Sequence, residues 1–267
     1  MSIGVSSSSG RVRRAFVKLQ LSPHYQREAF EAGLKAVGFE ILGCSLHRPE
    51  PGDLLVLWNR YLRDEVEART YEKAGATVLI AENAYLAPDV KPPTTLAIAV
   101  GHHNGAGKWH VGVGRRAIDW PLNHSWRVDG DHVLIIPQRG YGEDGVRMPS
   151  GWAAQAEREL RTMTKRPIRV RPHPGVRPHP PMDDDLKDCW AAVTWGSGGA
   201  LKAICAGIPV FHQFPQWIGA PAASRFILTD IEHPYVGDRS LMLHQVSWAQ
   251  WTIEEIAGGK PFRWLPS

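Results

Sequence analysis

An α/β fold made of two Rossmann-like halves, with parallel sheets facing a central cleft, is the architecture this sequence predicts. Three observations predict it. From Ala15 onward, short apolar runs alternate with amphipathic stretches. That rhythm breaks between Gly101 and Arg127, and it restarts at His132. Strands that alternate with helices imply parallel sheets with right-handed crossovers, and one break implies two such units.

The elements follow in order. Ala15 to Leu21 is a short strand. His24 to Val37 reads as a helix, with Ser22 as its cap, Pro23 in its first turn and Gly38 as its stop. Phe39 to Gly43 is a second strand, and the apolar run ending at Trp58 is a third of the kind buried on both faces. Tyr61 to Lys73 is a charged helix ended by Gly75, and Ala76 to Ala81 and Thr95 to Val100 are further strands. The stretch from Gly101 to Arg127 is rich in Gly, His, Asn and Trp and reads as loops at the cleft. In the second unit His132 to Ile136, Pro167 to Arg171, Ala191 to Trp195 and a run from Pro209 are strands. Gly151 to Thr164 (capped by Ser150) and Ser197 to Ala206 are helices. Asp238 to Ile256 reads as helical. The expected units are 11–125, 126–237 and a helical tail 238–267 that packs back on the first half.

Composition narrows the class. The chain of 267 residues is 43% apolar and 22% charged, ordinary for a globular protein. Met1 to Gly10 reads as a floppy leader without the apolar core of a signal peptide. No stretch reaches the ~18 apolar residues of a membrane span. Cys44, Cys189 and Cys205 are too few and too far apart for a disulfide framework, which predicts a reducing, cytoplasmic setting. Without a CxxC pair a structural zinc site is not expected. A net charge of +4 permits a polyanionic partner without requiring one. Core packing is the expectation for Trp109, Trp126 and Trp217.

Four segments of the second half end at predicted strand termini, the edge where open α/β sheets bind ligands. In TWGSGGALKAICAGIPV (Thr194–Val210), a strand runs through a glycine-rich turn into a helix opened by Ser197. Helix starts offer free N–H groups and partial positive charge to phosphates, and Gly198 and Gly199 permit close backbone approach. Alone, the segment reads as an ordinary capped helix, since any helix needs a cap. It is neither a Walker loop nor a GxGxxG fingerprint. In VRPHPG (Val170–Gly175), Arg171 and His173 enter a proline-stiffened loop, and arginine suits phosphate. RPHP recurs at Arg177–Pro180, which points to compositional bias. In IPQRG (Ile136–Gly140), Gln138 and Arg139 suit an anion or a nucleobase. Glu232, in DIEHP, is placed to bind ribose hydroxyls. Each of the last three reads by itself as a polar loop.

Taken together, Gln138–Arg139, the HP loop at His173 and the strand–small-residue–helix segment ending in GIPV resemble the nucleotide-binding half of GT-B glycosyltransferases, above all the capsule-polysaccharide type. The texture is also similar to small glycosyltransferase-like proteins of tailed bacteriophages. The resemblance implies a nucleotide-sugar donor with no cofactor and no metal. Ser197, Gly198 and Gly199 would hold its diphosphate, Arg171 and His173 would sit by the phosphates, and Gln138 and Arg139 would line the donor cleft. The run Asp183–Asp185 reads as a solvated acidic turn and not as a metal-binding DxD. The first half would bind the acceptor, a glycan or a hydroxylated base in phage DNA, and supply a general base. Glu82, His102 and His103 follow predicted strands and are the candidates; Trp58, Asn59 and Arg60 follow another. Competing readings are a nucleotide-sugar epimerase or hydrolase on the same scaffold and a non-enzymatic nucleotide- or nucleic-acid-binding module.

Overall fold

The computed structural model describes residues 12–46, 48–103, 106–123, 125–173, 181–227 and 230–265. The first half runs β1 (Arg13–Lys18), α1 (Arg27–Ala36), β2 (Phe39–Leu42), β3 (Leu54–Leu57), α2 (Arg63–Lys73), β4 (Thr77–Asn83) and β5 (Thr95–Val100). The second runs β6 (His132–Ile136), α3 (Trp152–Met163), β7 (Ile168–Val170), α4 (Met182–Leu186), β8 (Cys189–Thr194), α5 (Gly198–Cys205), β9 (Val210–His212) and β10 (Ser224–Arg225). The chain then forms α6 (Ser240–Ala249), β11 (Gln250–Thr252) and α7 (Ile253–Ala257).

Two sheets result. The second has the order β10-β9-β8-β6-β7 and is parallel throughout. The first has the order β11-β5-β4-β3-β1-β2, and β1 to β4 are parallel. Strands β6 and β8 are buried along their whole length, which is why they read as unbroken apolar runs.

Three expectations need correction. Strand β5 runs antiparallel to β4, with Leu79 opposite Val100 and Asn83 opposite Leu96. The connection from Ala84 to Thr94 contains no helix, and a parallel return would need a crossover of about a dozen residues or more. Helix α1 begins at Arg27, because Ser22 to Tyr25 closes a separate turn through Tyr25 N–H to Ser22 O (3.0 Å) and Gln26 takes a left-handed φ of 53°. The stretch 238–256 is not all helix. Trp251 and its neighbours add β11 to the first sheet, antiparallel to β5, and the Gln250 side chain bonds both the N–H (3.1 Å) and the C=O (2.8 Å) of Leu86.

Helix α7 then packs on α1 so closely that a β-carbon on Gly33 would lie 1.9 Å from Ile256 O. Helix α6 fills the space between the halves. One apolar core joins Tyr85, Leu86 and Ala97 of the first half, Leu134, Ile136, Leu201 and Trp217 of the second, and Met242 and Val246 of α6. The halves are therefore held by shared burial as well as by surface contacts.

Candidate functional site

In the second sheet the chain leaves β6 towards β7 on one side and leaves β8 towards β9 on the other. The crevice between the carboxyl ends of β6 and β8 is therefore the topological switch point, where α/β sheets bind ligands. Thr194, the last residue of β8, builds its floor. Its hydroxyl donates to Ile136 O at 2.8 Å and accepts from the Ser197 amide at 2.9 Å, so one buried side chain fixes the ends of both strands. Across the crevice Gln138 Nε2 donates to Gly196 O at 2.9 Å.

Helix α5 starts here. Ser197 Oγ accepts from the Gly199 amide at 3.2 Å, and the Ala200 amide goes to Ser197 O at 3.2 Å. Ser197 is thus the helix cap and is itself buried. With those amides committed, the helix end offers a ligand its dipole and the Gly198 amide, and not a cradle of several amides. Neither Gly198 nor Gly199 has a positive φ. A β-carbon on Gly198 would meet only Tyr85 Cδ1, at 3.7 Å, and one on Gly199 would find ordinary contacts at 3.5 Å and beyond. Protein packing does not require glycine at either place, which leaves an approaching ligand as a reason for it. Gly196 differs: Phe214 and Trp217 would crowd a β-carbon at 3.3 Å.

The contact with Tyr85 shows that the start of α5 faces the first half. Tyr85 follows β4, and its hydroxyl donates to Glu82 Oε1 at 2.6 Å. Glu82 therefore lies at the carboxyl end of β4, one side chain away from the glycines. Nearby, the connection between β6 and α3 reaches over to α2. Tyr141 stacks on Tyr61 with ring centres 4.7 Å apart, and Glu143 pairs with His102 Nε2 (3.0 Å) and Arg69 (3.4 Å). Exposed Arg139 lies 4.4 Å over the Tyr141 ring. Tyr61, Arg139, Asp144, Arg147 and Ser150 line an open pocket of about 670 Å³ at this boundary.

The remaining candidates are placed differently from the expectation. The Arg171 guanidinium is 9% exposed and is committed to Asp185 and, at 3.5 Å, to Pro181 O. Burial pulls it below the ordinary arginine range, with Asp184 opposing. It braces α4, whose Met182 packs beside Gly199, and does not point an uncommitted charge at the crevice. His173 is half-buried after β7; the repeat at Arg177–Pro180 lies outside the described residues. Glu232 is at the wrong edge. It binds Thr164 (2.8 Å) and Arg166, and Arg166 also holds Gly130 O, so the group sits by the amino ends of β6 and β7. Arg166 and Thr164 together hold the Glu232 carboxyl below its usual range against the opposing effect of burial.

His102 and His103 are displaced by the reversal of β5. The residue after that strand, Gly101, hydrogen-bonds Val78 O near the start of β4 (2.8 Å), so both histidines follow the end of β5 that lies by the amino end of its neighbour. The His102 ring lies between Arg60 and Glu143, and burial followed by the Arg60 charge lowers its pKa. His103 is buried. Arg60 is also structural: it is 2% exposed and clamped by Glu65 (2.6 Å), Glu72 (2.7 Å) and Gly101 O (2.6 Å). Burial works against its charge, but the bonds to Glu72 and Glu65 prevail and raise its pKa.

Sequence reasoning missed Thr194, Tyr85 and Glu143. Thr194 left a trace, a polar residue closing an apolar strand; the other two act through contacts between halves. Among the described residues no group of three metal-ligating side chains occurs, and no helix is long and apolar enough to cross a membrane.

Neither a protein-family model nor a curated protein matches the sequence. Solved structures do match the fold. One is Thermosulfurimonas dismutans KpsC, beta Kdo 2,7 transferase, at 11% identity and a TM-score of 0.55, covering 92% of this chain and 98% of that one. Another is Thermosulfurimonas dismutans KpsC, beta Kdo 2,4 transferase, at 11% identity and a TM-score of 0.56, covering 93% and 99%. The fold is the GT-B-like, two-sheet α/β arrangement of these transferases, along nearly the whole chain.

Proposed function

With that fold as premise, we propose that the protein is a glycosyltransferase. It takes a sugar from a nucleotide-sugar donor at the crevice between β6 and β8 and passes it to a hydroxyl held by the first half. One observation carries the reading. The start of α5 faces the first half at a switch point, and it carries glycines that neither backbone conformation nor protein packing demands. The names of the two structural neighbours support the same reaction class and make an activated Kdo the first donor to test.

In this reading the phosphate next to the sugar rests on the Gly198 amide and the helix dipole, with Ser197 and Gly199 shaping the turn. Gln138, Arg139 and His173 line the donor side, while Arg171 positions α4. Glu82 is the base. It takes the proton of the acceptor hydroxyl as that oxygen bonds to the anomeric carbon and the bond from the sugar to phosphate breaks. The charge left on the phosphate is met at the helix start, where an oriented dipole needs no reorganisation. Closing the cleft keeps water from the donor.

A thermal-shift screen of nucleotide sugars and free nucleotides tests the donor site, because a ligand bound only to the native state raises the melting temperature. A shift with a nucleotide sugar that disappears in Gly198→Pro supports the assignment. No shift with any of them removes it. Glu82→Gln should keep donor binding and lose transfer.

A further inference from the structure

The first sheet has a switch point of its own. Strand β2 lies on one side of β1 and β3 on the other, so the crevice between the carboxyl ends of β1 and β3 corresponds to the one that serves the donor. Three aromatic side chains meet there. His24 and Tyr25 come from the connection after β1, and Trp58 is the first residue after β3. Their ring centres are 5.1 Å (His24–Tyr25), 5.3 Å (His24–Trp58) and 4.8 Å (Tyr25–Trp58) apart, at interplanar angles of 89°, 62° and 84°. All three are half-buried. Tyr25 and Trp58 rest against the first-half core on one side. The same edge touches the second half through Tyr85 at Gly198 and through Tyr61 on Tyr141, and Trp58 opens the connection from β3 that carries Tyr61.

We infer that this trio is the acceptor subsite and that it takes a neutral carbohydrate ring; the inference rests on the transfer reaction proposed above. Edge-to-face rings present both π-faces and ring edges, which suit the C–H face of a sugar. The His24 ring carries polar nitrogens of its own, and half-buried Asn59 follows Trp58 in the chain. Charge decides against a nucleic acid. Lys18, at the end of β1, is bound by Asp64 (2.7 Å) and Glu67 (2.6 Å), Arg27 by Glu31 (2.7 Å), and Arg60 by Glu65 and Glu72. A DNA backbone needs cations that can neutralise phosphates, and Lys18, Arg27 and Arg60 at this edge are already paired with carboxylates.

The test presents the full chain to a printed array of neutral and acidic glycans, with oligonucleotides carrying 5-hydroxymethylcytosine on the same surface. It is repeated with Trp58→Ala, Trp58→Phe and His24→Ala. The expected result is binding to a neutral glycan that weakens by about tenfold or more in Trp58→Ala and is retained in Trp58→Phe. The Trp58→Ala protein should keep its thermal shift with nucleotide sugar, which shows that it is folded. If it does not fold, the His24→Ala protein carries the same comparison. Glycan binding indifferent to both positions, a blank glycan array, or capture of the oligonucleotide in place of glycans each overturns the assignment. The two readings fail separately. Glycan binding through Trp58 without any nucleotide-sugar shift removes the donor site and leaves the subsite. A nucleotide-sugar shift with a blank array does the reverse.

Discussion

Each half carries a switch point at the carboxyl edge of its sheet, and the two are furnished in opposite ways. Between β6 and β8 the strands end in a threonine, a glycine-bearing turn and a helix start. Between β1 and β3 they end in aromatic rings, with the nearby cations tied to carboxylates. One topology thus supplies two crevices, and a handful of residues past the strand ends sets them apart; the proposed reading gives one to an anion and the other to an uncharged ring. Function here lives in strand ends and not in strands.

The comparison breaks most completely if the core that joins the two halves is cut. Trp217 is 2% exposed in the cluster joining the halves, and its ring lies against Gly196 in the turn before α5. Trp217→Ala should cost about 3–5 kcal/mol, seen as a lower midpoint in urea unfolding. It should abolish donor and acceptor binding together, which a purely local donor residue would not do.

A more selective cut is Thr194→Val. It keeps the shape but strands a buried carbonyl at Ile136 and a buried amide at Ser197. Each group left unsatisfied costs about 1–3 kcal/mol, so a clear fall in stability is expected, with Thr194→Ser close to wild type. Nucleotide affinity should fall while the first-half crevice still binds. Equal losses at both sites would show that the crevices are not independent.

Gly198→Pro sharpens the comparison without touching stability. Proline is at home in the first position of a helix, where its missing N–H removes no helical bond. Ser197 already has φ −71° and ψ 142°, the conformation that a residue before proline prefers. The amide offered to the ligand disappears, and the proline ring fills the space into which the ligand would approach. The melting temperature should hold, and nucleotide affinity should drop about tenfold or more, the worth of one hydrogen bond to a charged group. Unchanged affinity in calorimetry would move the phosphate elsewhere.

How much of this was readable beforehand depends on the range of the interaction involved. The strand–turn–helix at Thr194–Cys205 was legible because everything that shapes it is local: an apolar strand, small residues, a serine cap. The direction of β5 was not, because alternation of apolar and polar residues carries no sign. Only the absence of a helix between Ala84 and Thr94 hinted at the reversal. That single sign moved His102 and His103 from the carboxyl edge of the first sheet to the end by the start of β4. Arg171 and Glu232 were misplaced for a related reason. A charged residue at the end of a predicted element looks free in sequence, and its partner, Asp185 or Arg166, is found only when the chain folds.

The smallest effect concerns the seam between the halves. Burial and the neighbouring Arg60 hold the His102 pKa below its usual value, so the folded protein resists protonating it. A histidine depressed on folding contributes stability above its unfolded value of about 6.5, and that contribution is lost as the pH falls. Buried His132 and His212 are lowered as well and act in the same direction. Melting temperature should therefore fall on acidification below about pH 6.5. His102→Gln should flatten part of that slope and leave the share of the other two. Glu143→Gln removes the carboxylate that favours the charged ring, along with the pair to Arg69. It should steepen the acid loss while costing at most about 1 kcal/mol at neutral pH, as half-exposed pairs do. A slope unaltered by either change would place the acid sensitivity at His132 and His212, inside the second half.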